Sequence, residues 1–260
     1  MPGAIVRKLT PEQEELERKR EELAAVRSAL AERELELADL RAQLKSFEGR
    51  YLRQVGVLYA ELDDLDAHIA EIEASLESSP SARQRADQAR KRADDSHEAT
   101  HGEASKVQEF KPSPDLKALF RDVAKRIHPD FARDDAARQR RTQLMAQANE
   151  AYSRGDAEAL QLILDDYDES SESVPGEGIG AELIRIIRQI HQAKKNIAAI
   201  EQELAPLRAS EIARLRQDVE TAQQQGRDLL AELAVTVREQ VVRARKEYEA
   251  LAEEAKKRVR

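Results

Sequence analysis

An apolar residue returns at every seventh position through the first part of the chain, and this spacing constrains the fold more than any other feature. The row consists of Leu16, Leu23, Leu30, Leu37, Leu44, Tyr51, Leu58, Leu65 and Ile72. Seven residues make about two turns of an α-helix, so the row lies along one side of a single long helix. The spacing predicts a coiled-coil helix over residues 10–76, and the apolar side of that helix needs a partner.

A second apolar row accompanies the first, and its spacing changes partway along the helix. Its members are Val26, Leu40 and Phe47, followed by Val55, Leu62, Ile69 and Leu76. The step from Phe47 through Tyr51 to Val55 breaks the alternation of three and four residues, which predicts different packing partners on either side of it. Gly49 and Gly56 flank this step. Glycine inside a helix favours the close approach of another helix, with a hinge or a binding notch as the alternative.

Heptad spacing resumes after Gly180 in two further apolar rows. They are Leu183, Ile190, Ile197 and Leu204, beside Ile186, Ala193, Ile200 and Leu207. Pro206 should kink or end this helix near Ala205, and Ser210 suits the start of another helix that runs past Leu251. Because the chain must reverse between the two heptad regions, we expect their helices to lie antiparallel. The partner of their apolar sides is either the same chain or a second copy of it.

Two stretches lack the pattern of a buried helix. Residues 78–113 contain almost no large apolar side chains, so they should bury no stripe and form a charged linker, either as a solvated helix over residues 81–99 or as disorder. Residues 169–180 are rich in Ser, Glu and Gly and predict a second linker. The chain is therefore predicted to be all-α. Its expected segments are a coiled-coil helix at 1–77, a linker at 78–113, a small helical module at 114–168, a linker at 169–180, and coiled-coil helices at 181–260 with a break near 206–210.

The central module contains a tripeptide between two amphipathic helices. The first helix should begin at Pro114 and bury the apolar stripe Leu116, Leu119, Phe120, Val123, Ala124 and Ile127. Pro129 lacks an N–H and disfavours helical geometry at His128, so this helix should end near Ile127. A second helix is predicted from about Asp134 to Ser153, and a third, capped by Asp156, to about Tyr167. The tripeptide His128-Pro129-Asp130 then lies at a turn between antiparallel helices.

These residues resemble the J-domain family, the co-chaperones of DnaK-type heat-shock chaperones. The resemblance rests on LFRDVAKRIHPD, a basic helix followed by the tripeptide, and on Asn149-Glu150-Ala151-Tyr152 near the end of the next helix. It covers about a fifth of the chain. Glu109–Pro114 stands where the family has its first helix, and Ser153–Asp156 replaces the family's usual turn. The core of the module should therefore be completed by its last helix or by a neighbouring coiled coil.

The resemblance implies a function for six residues. In J-domains, residues matching His128, Pro129 and Asp130 contact the chaperone and trigger its ATP hydrolysis, and the helix that carries Arg121, Lys125 and Arg126 holds the basic docking face. Cations on one helix face also steer an acidic partner by simple electrostatics. Since the tripeptide should stand at an exposed tip, His128→Gln should change stability by less than about 0.5 kcal/mol. The alternative is a scaffold or assembly factor in which the tripeptide is only a structural turn.

Other classes of function receive less support from the sequence. The chain has no cysteine, which excludes disulfides and thiolate-bound zinc. His97 and His101 are four residues apart but lack surrounding carboxylates, so no metal site is expected. His128 and Asp130 have neither a nucleophile nor a glycine-rich phosphate loop nearby, so we expect no enzyme activity and no cofactor.

Charge and hydropathy bound the partners and the compartment. The net charge of −8 argues against general binding of nucleic acid. The segment from Lys111 to Met145 is locally basic, with nine Lys or Arg against five Asp. Binding of nucleic acid through Arg138, Arg140 and Arg141 therefore stays an alternative. The N-terminal apolar run is too short for a signal peptide, and no stretch approaches the roughly 20 apolar residues of a membrane span. A cytoplasmic location is therefore expected.

Overall fold

The computed structural model describes residues 10–77, 79–102, 109–168 and 178–259. These residues are all-α and contain no strand, which confirms the predicted fold class. The helices are α1 (Pro11–Tyr51), α2 (Val57–Glu77), α3 (Pro80–His101), α4 (Pro114–Ile127), α5 (Asp135–Arg154), α6 (Ala157–Asp168), α7 (Ile179–Ala209), α8 (Glu211–Gln224) and α9 (Leu229–Val259). A π-helix joins α1 to α2 at Leu52–Gly56, and a 3₁₀-helix follows α4 at Pro129–Phe131.

The chain forms two compact units, and each of them takes segments from distant parts of the sequence. Unit 1 consists of Met1–Ala42 and Phe110–Arg208, and unit 2 of Gln43–Glu109 and Ala209–Arg260. The predicted second linker falls mainly on residues 169–177, which lie outside the described residues.

In unit 1 the two heptad regions bury each other within one chain. Their shared core consists of Leu16, Leu23, Leu30 and Leu37 from α1 and Ile186, Ile190, Ala193, Ile200 and Leu204 from α7. Arg20 pairs with Glu182 at 2.7 Å, and Arg41 pairs with Glu203 at 2.6 Å. Residue numbers thus rise together along both helices, so α1 and α7 run parallel and the antiparallel prediction is wrong. The chain reverses several times between α1 and α7 rather than once, which restores the original direction.

In unit 2, α2 packs against α9 on one side and α3 on the other. The core beside α9 consists of Phe47, Val55, Val219, Leu230, Ala234, Val237 and Val241. The helix α3 folds back antiparallel along α2, with Arg90 paired to Asp64 at 3.0 Å and Ser96 donating to Asp63 at 2.6 Å. It buries Ala82, Ala86, Ala89, Ala93 and Thr100. The prediction that residues 78–113 bury no stripe is therefore wrong, because small side chains also form a buried face when two helices approach closely.

The change of spacing in the N-terminal helix coincides with the π-helix. Two α-helical turns hold about 7.2 residues, whereas Phe47 and Val55 are eight apart, and a wider turn accommodates the difference. A Cβ at Gly56 would lie 3.1 Å from Leu52 Cδ2 and 3.4 Å from Thr100 Cγ2 of α3. The prediction that Gly56 marks the close approach of another helix is confirmed. The predicted change of partners is confirmed too, since α1 packs on α7 before the step and α2 packs on α3 and α9 after it.

The predicted start of a helix at Ser210 is confirmed, whereas the predicted end near Ala205 and the unbroken helix after Ser210 are not. Pro206 lies inside α7, which continues to Ala209, and the break comes at Ser210, whose hydroxyl caps α8 by accepting from Ala213 N at 3.3 Å. A second, unpredicted break separates α8 from α9. Gly226 there has a φ of 74°, a left-handed conformation that favours glycine.

Candidate functional site

The module of α4, the 3₁₀-helix, α5 and α6 forms as the sequence predicts. Ser113 caps α4 by accepting from Leu116 N at 3.1 Å, and Asp134 caps α5 by accepting from Ala137 N at 2.7 Å. The rings of Phe120 and Tyr152 lie 4.7 Å apart between their centroids. The buried side chains of these helices are Leu116, Phe120, Val123, Ala124, Ile127, Met145, Ala148, Ala151, Tyr152, Leu160, Ile163 and Leu164.

Helix α1 completes the core of this module, together with α6. Ala31 and Leu35 of α1 belong to the same buried cluster. Asp39 of α1 accepts a hydrogen bond from Tyr152 Oη at 3.1 Å and from Lys117 Nζ at 2.8 Å. Burial and the neighbouring Asp39 carboxylate raise the pKa of Tyr152, so its hydroxyl stays protonated as the donor. The prediction that the last helix or a neighbouring long helix completes the core is confirmed, with both contributing.

His128 is buried against α1 instead of standing at an exposed tip. Only 3% of its surface is exposed. Its Nδ1 accepts a hydrogen bond from Asp130 N at 3.2 Å, so in the neutral ring the proton lies on Nε2, which donates to Glu34 Oε1 at 3.2 Å. The prediction of an exposed His128 is wrong, because α1 packs across the turn. The expectation of a negligible stability change in His128→Gln loses its basis for the same reason.

Asp130 is held by α7 on the other side of the turn. Its Oδ2 accepts a hydrogen bond from Asn196 Nδ2 at 2.7 Å and lies 3.6 Å from His128 Nδ1. Burial raises the pKa of Asp130, and the charge of Glu34 adds to this, while His128 and Arg138 act in the opposite direction. Pro129, which begins the 3₁₀-helix, is half-buried. All three residues of the tripeptide are therefore at least partly enclosed by contacts within unit 1.

Arg141 braces the turn from α5. It is buried and donates to the carbonyl oxygen of His128 at 3.3 Å and to Tyr167 Oη at 2.5 Å. Its guanidinium also lies 5.1 Å from the centre of the Tyr167 ring. The bond to His128 and the contact between Phe120 and Tyr152 fix α4 and α5 as antiparallel, with the tripeptide at their connection. Arg141 thus fixes the backbone of the turn while Glu34 and Asn196 hold its side chains.

The three predicted docking cations lie on α4 in different surroundings. Arg121 pairs with Glu32 of α1 at 3.2 Å, and Arg126 pairs with Asp122 of its own helix at 3.2 Å. Lys125 is exposed. All three residues are exposed to solvent. Ion pairs at this face therefore contribute little to stability.

Sequence reasoning missed three polar residues that position the tripeptide, Arg141, Glu34 and Asn196, and a fourth, Asp39, that holds Tyr152 and Lys117 of the module. Arg141 could have been found, because it lies four residues after Ala137 and four before Met145, on the apolar stripe of α5. Glu34, Asp39 and Asn196 are distant in sequence from the groups they contact, so no local spacing indicates them.

Within the described ranges, no group of His, Asp and Glu is placed to hold a metal ion. None of the helices described here combines the length and the apolar character needed to cross a membrane. Comparison of the chain with family models, with curated proteins and with solved structures gives no match.

Proposed function

We propose that this protein is a J-domain-like co-chaperone that recruits a DnaK-type heat-shock chaperone and stimulates its ATPase through His128-Pro129-Asp130. The observation that supports this is the antiparallel pair of α4 and α5, which carries the tripeptide at its connection and Arg121, Lys125 and Arg126 on α4. A proline-fixed turn presents polar groups at low entropic cost, and the cations steer an acidic partner. The long helices would bind a client or an assembly through their remaining surface.

In this proposal the tripeptide is covered at rest and must be uncovered for the chaperone to bind. Glu34 and Asn196 hold His128 and Asp130, and Glu32 holds Arg121. A hydrogen bond of this kind contributes on the order of 1 kcal/mol net, so these polar contacts together oppose opening of the turn by a few kcal/mol, in addition to the apolar contacts of α1. Binding to a partner can supply that much free energy. The covering contacts should therefore lower, without abolishing, the stimulation by the resting protein.

The test compares the wild type with a variant that lacks both covering side chains, Glu34→Ala/Asn196→Ala. Steady-state ATP turnover of the DnaK-type chaperone from the same host is measured against the concentration of each protein. The uncovered variant should stimulate turnover at a lower concentration than the wild type. Adding His128→Gln to it should abolish the stimulation, while circular dichroism shows an unchanged helical content.

A matched control carries two substitutions at exposed positions of the same helices, Glu21→Ala/Gln202→Ala. It should stimulate the chaperone as the wild type does. If the control gains as much as the uncovered variant, the gain comes from general loosening and the covering contacts have no specific role.

The second candidate is a structural scaffold or assembly factor whose J-like module does not stimulate a chaperone. The observation in its favour is the burial of His128, whose two ring nitrogens both find partners within the chain. The same experiment decides between the two functions. If neither the wild type nor the uncovered variant raises ATP turnover, the co-chaperone proposal fails and the scaffold remains.

A further inference from the structure

Unit 1 contains a cleft of about 1030 Å³, and of its lining residues only Lys125 and Arg126 take part in the proposed co-chaperone mechanism. Its walls come from α1, α4, α5, α6, α7 and the 3₁₀-helix with the turn that follows it. Among the residues that the structure describes, seven Lys or Arg line it against two carboxylates, Asp122 and Glu182. In a protein with a net charge of −8, this concentration of cations in one cleft needs an explanation.

Both lining carboxylates are already paired. Glu182 accepts from Arg20 at 2.7 Å, and Asp122 lies 3.2 Å from Arg126. Arg27, Lys125 and Arg185 have no acidic partner among the described residues. The described residues of the cleft therefore carry an excess of positive charge that the two described carboxylates do not neutralise.

Arg27 shows this imbalance most directly. Its guanidinium lies over the Phe131 ring, 4.3 Å from the ring centroid, and this cation–π contact orients the guanidinium group. Its Nε is buried and has no hydrogen-bond partner among the described groups. Burial and the positive charge of Arg141 both lower the pKa of Arg27. Holding a partly buried cation beside a like charge disfavours the folded state, and a bound anion would remove that penalty.

We propose that this cleft binds a polyphosphate, an anion that carries two or more linked phosphate groups. Arginine forks and a lysine suit phosphate oxygens, and several cations in one cleft favour a ligand of high charge density. A volume of about 1030 Å³ is at the upper end of the range for small-molecule sites. Leu23, Ile179 and Ile186 add an apolar wall to the cleft, on which a nucleoside could rest. Inorganic polyphosphate and nucleoside polyphosphates share the chemistry that the cations recognise.

The experiment measures binding by isothermal titration calorimetry at physiological ionic strength with tripolyphosphate, with ATP and with adenosine. Tripolyphosphate should bind, and its affinity should fall as salt is raised, because the interaction is between exposed charges. Tighter binding of ATP than of tripolyphosphate would identify a nucleotide as the natural ligand. Equal binding of the two would identify inorganic polyphosphate, and adenosine alone should not bind in either case.

Substitution of two unpaired cations locates the site. In Arg27→Gln/Arg185→Gln the affinity for tripolyphosphate should fall at least about tenfold, since each lost arginine removes charge-assisted hydrogen bonds. The control Arg18→Gln/Lys195→Gln removes the same net charge from exposed positions of the same two helices and should bind as the wild type does. If the first double variant unfolds, Arg185→Gln alone keeps the test valid, because Arg185 is exposed.

Three results would overturn the proposal. They are the absence of tripolyphosphate binding to the wild type, unchanged binding in Arg27→Gln/Arg185→Gln, and tighter binding of an acidic peptide than of tripolyphosphate. The peptide DDYDESSESVPGE, the sequence of residues 165–177, serves for that last comparison. Neither Arg27 nor Arg185 belongs to the tripeptide or to the docking cations of α4, so the polyphosphate site and the co-chaperone function can fail independently.

Discussion

At the scale of single residues, the ionisation of Asp130 is opposed by the fold around it. Burial raises its pKa above the ordinary value of 3.8, and Glu34 acts in the same direction. His128 and Arg138 face it from the turn and from α5 and act against that shift. The folded protein therefore binds this proton more tightly than the unfolded chain does. The stability that Asp130 contributes is fully present below its ordinary pKa and is lost as the pH rises through the raised pKa.

The substitution Asp130→Asn tests this sign. Asparagine keeps an oxygen that accepts from Asn196 but carries no charge, so the variant should be more stable than the wild type at pH 7. The difference should shrink as the pH falls through the raised pKa and should vanish well below 3.8, where the wild-type carboxyl is neutral in both states. Urea unfolding of the two proteins across this pH range measures it. A variant that is less stable at neutral pH would show that the attraction to His128 and Arg138 outweighs the penalty of burial.

Sequence predicts some of these residue-scale features and not others, for a physical reason. The stripes of α4 and α5 follow from local periodicity, and so does the end of α4 before Pro129. The burial of His128 does not, because Glu34 lies 94 residues away and its contact depends on the packing of α1 across the turn. A tripeptide that resembles an exposed family motif carries no local signal that another helix covers it.

At the scale of elements, α3 shows how a helix without large apolar residues can still be held in a unit. Ala67 of α2 and Ala89 and Ala93 of α3 form a buried cluster, and each methyl group is small enough to let the helix axes approach. Ion pairs from Arg90 to Asp64 and Glu71 border this contact. Composition predicted a solvated linker here because alanine counts as only weakly hydrophobic. The spacing of the alanines along α3, however, is that of a buried helix face.

Enlarging one alanine of this interface should disrupt it. Ala93 is 0% exposed, so Ala93→Leu forces the two helices apart and should lower the free energy of unfolding by about 1–3 kcal/mol. Ala99→Leu places the same side chain at an exposed position of the same helix and should change stability by about 0.5 kcal/mol or less. Thermal or urea unfolding followed by circular dichroism compares the two. Equal effects would mean that α3 does not depend on close contact with α2.

The connection between α8 and α9 contains signals that the heptad reading overlooked. Gly226 ends one helix in the left-handed region, and Asp228 caps the next by accepting from Ala231 N at 3.1 Å. A glycine followed closely by an aspartate is an ordinary sign of a helix end and a helix start. The apolar row continued across this break, and the periodicity therefore predicted one helix where the structure has two.

At the scale of the whole chain, the direction of α7 relative to α1 depends on how often the chain reverses between them. Heptad spacing indicates which side of a helix is apolar, but it does not indicate whether the neighbouring helix runs parallel or antiparallel. The direction is fixed instead by the intervening helices, which pack through contacts distant in sequence. The rows correctly predicted that both apolar sides would be buried, and the coiled-coil character of the pair stays a prediction.

Crosslinking tests the parallel arrangement of α1 and α7 in unit 1, and the absence of native cysteine makes it clean. The pairs Arg20→Cys/Glu182→Cys and Arg41→Cys/Glu203→Cys replace residues that form ion pairs, so a short bis-maleimide should join each pair within one chain. The crossed pairs Arg20→Cys/Glu203→Cys and Arg41→Cys/Glu182→Cys serve as controls. Residues 182 and 203 are about 30 Å apart along α7, so the crossed pairs should stay unjoined.

Denaturing gels and intact mass at low protein concentration separate joined from unjoined chains. Joining of the crossed pairs would mean that the helices run antiparallel, and products of doubled mass would mean that the apolar sides meet between two copies.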